Sequence, residues 1–112
     1  MTSEKISKDT QEKLTQIQMY QQRLQIFAGQ KQQFQIQQIE IDSALTEVSK
    51  TKKPVYVLVG GIMVERPVAE IKKELQSKKN ELNIQIKNIE KQETSIQKKA
   101  ESLQKELTKI LK

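Results

Sequence analysis

The chain has no cysteine, no histidine and no tryptophan, and each absence closes off a class of function. Without cysteine there is neither a disulfide framework nor thiol chemistry. Without histidine the commonest metal ligand and the commonest general base are both missing. No catalytic residue, metal site or cofactor is therefore expected. Aromatics make up only 4% of the 112 residues, so a thick globular core has little to be built from. Burial must come from thin helical seams or from the association of several chains. The longest apolar run lies between Pro54 and Pro67 and is far too short to span a bilayer. The N-terminus, MTSEKISKDTQEK, lacks the apolar core of a signal peptide, so a cytoplasmic setting with no membrane partner is expected.

Proline and glycine are scarce as well, with two and three copies. Both prolines and two of the glycines fall in one stretch, PVYVLVGGIMVERP, Pro54 to Pro67. Val55, Val57 and Val59 precede Gly60-Gly61, and Ile62 and Val64 follow. Two runs rich in β-branched residues around a Gly-Gly pair predict a hairpin, because a type I′ turn needs positive φ at both central positions. A two-residue turn sets Val59 opposite Ile62, Leu58 opposite Met63, Val57 opposite Val64 and Tyr56 opposite Glu65. One face then carries Val55, Val57, Val59, Ile62 and Val64, and the other Tyr56, Leu58 and Met63. A lone hairpin that is apolar on both faces is marginal in water and has two unpaired edges. It is expected to be an assembly element, completed by hairpins of other subunits. The Gly-Gly pair lacks the surroundings of any phosphate-binding loop.

Long heptad patterns flank this stretch. Ile17, Tyr20, Leu24, Phe27, Phe34, Ile41, Leu45 and Val48 step by three and four, with Lys31 and Gln38 as polar intrusions. The start of this helix is open: Asp9 with Glu12 resembles a capping box, while Ile6 allows an earlier beginning. Twelve glutamines between Gln11 and Gln38 suit a solvated helix. Ser49 to Lys53 is a polar break. Pro67 suits the first turn of a second helix, whose seam runs through Leu75, Leu82, Ile89, Ile96, Leu103 and Ile110. Ile86, Ala100 and Leu107 fill the companion position, which Lys79 and Glu93 interrupt. Glu93 in a seam is costly unless it is paired. Two helical segments of about 40 residues, each roughly 60 Å long at 1.5 Å per residue, imply that the second folds back on the first. The expected fold is mainly α: a long antiparallel two-helix coiled coil with one β-hairpin at the end opposite the termini. It forms a single domain, 1–112, with 1–53 as first helix, lead and linker, 54–67 as hairpin and 68–112 as second helix.

The net charge of +6 is uneven. Residues 1–50 balance six basic against six acidic side chains, whereas residues 68–112 hold eleven lysines against seven glutamates. These lysines alternate with glutamates, and no aromatics interleave with them for bases to stack on, so a solvated helical face is expected and no nucleic-acid partner. A structural coiled-coil adaptor with a basic surface for nucleic acid or membrane is the alternative reading. It has no need of a doubly apolar hairpin between its helices. A trimeric periplasmic coiled-coil chaperone would need a signal peptide.

Helix, polar break, VYVLVGGIMVE and helix together resemble the β-type subunit of prefoldin, a hexameric chaperone. Tyr20 to Gln33, YQQRLQIFAGQKQQ, is similar to the first helix of archaeal β subunits. Val59 to Arg66, VGGIMVER, is also similar to the hairpin of the eukaryotic subunit two. The resemblance covers essentially the whole chain. It implies an ATP-independent holdase, not an enzyme, that captures unfolded client proteins and delivers them to a group II chaperonin. It also implies a hetero-hexamer with α-type and other β-type subunits, in which the β-hairpin completes an oligomeric β-barrel. Val55, Val57, Leu58, Val59, Ile62, Met63 and Val64 would then form the oligomerisation platform around the Gly60-Gly61 turn. Ile6, Leu14 and Ile17 on the first helix and Leu103, Leu107, Ile110 and Leu111 on the second would form the client-binding tips.

Overall fold

The computed structural model describes the backbone of residues 2–111 and the side chains of residues 8–110. Helix α1 spans Thr2–Lys50, strand β1 Val55–Val59, strand β2 Ile62–Arg66 and helix α2 Val68–Leu111. The earlier of the two expected starts for α1 is the one adopted. Asp9 and Glu12 lie inside the helix on its exposed side, and the Asp9 carboxylate sits 3.4 Å from the Lys13 ammonium one turn later. Gly29 is also on the exposed side, with open space around it, so its cost is conformational only. At the far end of α1 the Thr51 amide donates to the Val48 carbonyl at 3.4 Å, and the chain leaves the helix before Pro54. At the start of α2 the Pro67 carbonyl accepts the first helical bond, from the Ile71 amide at 3.2 Å. Lys50 in the last turn of α1 and Glu70 in the first turn of α2 both complement the helix dipole.

The chain divides into two compact units: Gln32–Lys87, and Met1–Lys31 with Asn88–Lys112. In the first, the later part of α1 and the early part of α2 run antiparallel, joined through the hairpin. Ile41, Ile71, Leu82 and Ile86 are buried there, and Phe34, Leu45, Val48 and Leu75 half-buried. The Lys79 ammonium meets Asp42 at 2.8 Å, and the Gln38 amide donates to Asn83. In the second unit Ile17, Ile89, Ile96 and Leu107 are buried, with Tyr20, Leu24, Phe27, Ala100, Leu103 and Ile110 half-buried. Its helices are also antiparallel: Lys13 pairs with Glu106 at 3.3 Å and Lys31 with Glu93 at 2.8 Å, so partner numbers fall along α2 as they rise along α1. Every seam residue expected from the heptads is therefore buried or half-buried. Among the described residues no polar or charged side chain is fully buried, and no helix is long and apolar enough to cross a membrane.

Candidate functional site

Strands β1 and β2 form an antiparallel two-stranded sheet in the expected register, from Val59 opposite Ile62 to Val55 opposite Arg66. Gly60 and Gly61 take φ of 55° and 81°, which side chains resist, and so the turn is a consequence of those two glycines. Val55 and Val57 are half-buried. Val59, Ile62 and Val64 on the same face are exposed, as are Tyr56, Leu58 and Met63 on the other. Leu58 and Ile62 keep 67% of their surface each, although they lie on opposite faces. The hairpin thus offers apolar area on both sides together with two open backbone edges, a combination that favours association with further strands.

Arg66 ends β2 opposite Val55 and reaches across Pro67 to α2. Its guanidinium donates to both carboxylate oxygens of Glu74, one of them at 2.8 Å, and to Glu70. These bonds raise the Arg66 pKa, the larger part coming from Glu74, and the same contact holds the Glu74 carboxyl below the usual range. The arrangement ties the base of the hairpin to the first turns of α2. Sequence reading missed it. The signal was present: Glu70 and Glu74 are four residues apart and so share one helix face, and Arg66 stands just before the helix start.

The expected tip residues separate into groups. Ile17 and Leu107 are buried in the seam, Leu103 and Ile110 are half-buried, and Leu14 is exposed. The side chains of Ile6 and Leu111 lie outside the described residues. Working back from Ile17, the seam runs through Lys13 and Thr10, which leaves Leu14 on its flank. The other intrusion, Glu93, has its partner in the other helix. Its carboxylate accepts from Lys31, the main reason that the Lys31 pKa is raised.

A family model described as "Prefoldin subunit" matches residues 11–112. The prefoldin subunit beta of Thermococcus onnurineus is 32% identical over 83 residues, 72% of each chain. That of Archaeoglobus fulgidus is 36% identical over 76 residues, 66% of each chain. The crystal structure of the prefoldin beta subunit from Thermococcus strain KS-1 superposes with a TM-score of 0.87 at 29% identity, covering 93% of both chains. With two heptad helices, a Gly-Gly hairpin between them and this agreement in sequence and fold, the chain belongs to the prefoldin family, on its β-subunit side.

Proposed function

We propose that the chain is one subunit of an ATP-independent holdase, which joins α-type and other β-type subunits in a hexamer through its hairpin. Family membership supports the chaperone-subunit role. The observation that carries the assembly reading is the hairpin, exposed on both faces and unpaired at both edges. Closing such hairpins into a barrel removes the edges and buries the apolar faces together. Clients are unfolded polypeptides, held by the free helix ends and passed to a group II chaperonin. Nothing in this role needs a catalytic group, a cofactor or a membrane.

The test is assembly with an α-type subunit, followed by light scattering. Val57→Asp or Val64→Asp places an unpaired charge inside the closed barrel, at a cost of several kcal/mol per site. The variant chains are expected to stay out of the hexamer while keeping their helical signal. A variant that assembles to the mass of the unaltered complex overturns the platform reading.

A further inference from the structure

Each helix carries charged residues at positions where a coiled-coil seam wants apolar ones, and each of these finds a partner of opposite sign on the other helix. Lys31, 26% exposed, meets Glu93, 15% exposed, at 2.8 Å. Nearer the free end, Lys13 meets Glu106. In the other unit the signs reverse, since α1 contributes Asp42 and α2 contributes Lys79. Half-buried charges in a thin seam are poor sources of stability, because their desolvation offsets most of the attraction. Their better-attested use is to fix which helix pairs with which, and in what register.

We infer that Lys31 and Glu93 make the α1 seam selective for α2 and repellent to a second copy of α1. In a parallel α1–α1 pair between two chains, Lys31 faces Lys31 across the seam. In a parallel α2–α2 pair, Glu93 faces Glu93 and Lys79 faces Lys79. A heptad slip within one chain sets Lys31 against Ile86 or Ala100 and Glu93 against Leu24 or Gln38, so that neither meets a charge of opposite sign. Of these arrangements, only the antiparallel α1–α2 register of the structure pairs both charges. The selectivity has a use beyond the single chain, because an assembly through hairpins brings several copies of these heptad helices to high local concentration. Apolar seams alone would pair there with little regard to identity.

Four full-length variants test this in the presence of the assembly partner and alone. Lys31→Glu and Glu93→Lys each set like charges face to face and are expected to lower the melting temperature by roughly 5 °C or more. The exchange, Lys31→Glu with Glu93→Lys, is expected to recover most of that loss. Lys31→Leu with Glu93→Leu is expected to melt as high as the unaltered chain or higher, yet to lose selectivity. Selectivity is read from a Phe34→Cys reporter in the seam of α1, whose oxidation links two chains when α1 pairs with α1 in parallel. The linked fraction should rise several-fold in the Leu/Leu background over the unaltered one. An exchange variant that melts no higher than the single variants, or a Leu/Leu variant with no rise in linked chains, overturns the inference.

Discussion

Arg66 belongs to a strand by position and to a helix by its contacts. Its bonds to Glu70 and Glu74 lie at the surface, where an isolated ion pair contributes little stability. Its effect is geometric: a planar guanidinium held by two carboxylates fixes the direction in which the hairpin leaves α2. The Glu74 carboxyl reports on this contact. Since its pKa is lowered in the folded chain, the contact is fully present above the ordinary glutamate value of about 4.3, and is lost as the pH falls through the lowered folded value. A carbon-13 titration of the Glu74 carboxyl is expected to give a midpoint below that of free glutamate, returning to it in Arg66→Gln. An unshifted midpoint in the unaltered chain sinks this account. For Lys31 the sign is opposite. Its raised pKa means that the stability Lys31 contributes is fully present below the ordinary lysine value and is lost as the pH rises through the raised folded value.

The helices as elements depend on a narrow stripe. Leu82 is 4% exposed, whereas Ile84, two residues on, is 61% exposed. Leu82→Ala is expected to cost about 2–3 kcal/mol in chemical denaturation followed by helical circular dichroism, and Ile84→Ala less than about 0.5 kcal/mol. Equal effects at the two sites would mean that the stripe is not what holds the helices. This much was legible in the residues, because a heptad states which side of each helix is apolar. The hairpin register was legible for a similar reason, since a two-residue Gly-Gly turn leaves one way to pair Val57 with Val64. Cross-helix partners were not. Periodicity puts Lys31 and Glu93 on inner faces, but the layer each occupies depends on the path through Thr51–Pro54 and around Pro67, and no short-range pattern encodes that path. The same gap hid Arg66. It also explains Leu14, which is three residues from Ile17 and so fits a heptad step, while the seam takes the four-residue step to Lys13.

For the whole molecule, the proposed function assigns separable duties to the helix ends and the hairpin. Leu107 is buried and Leu103 and Ile110 half-buried in the seam of the last described turns of α2. Chains lacking residues 103–112 are expected to enter the hexamer normally and to suppress aggregation of a denatured client less well, read by turbidity at matched hexamer concentration. Truncated hexamers that protect as well as intact ones would place client capture elsewhere. The exposed hairpin has a consequence of another kind. A chain that has not found its partners displays Leu58, Ile62 and Met63 to solvent, and so looks to a cell's surveillance machinery much like a misfolded protein. Orphan copies made in excess over their partners are therefore expected to be degraded faster than incorporated ones. Raising the supply of the partner in a pulse-chase experiment should lengthen the half-life, and an unchanged half-life would break the link between stoichiometry and survival.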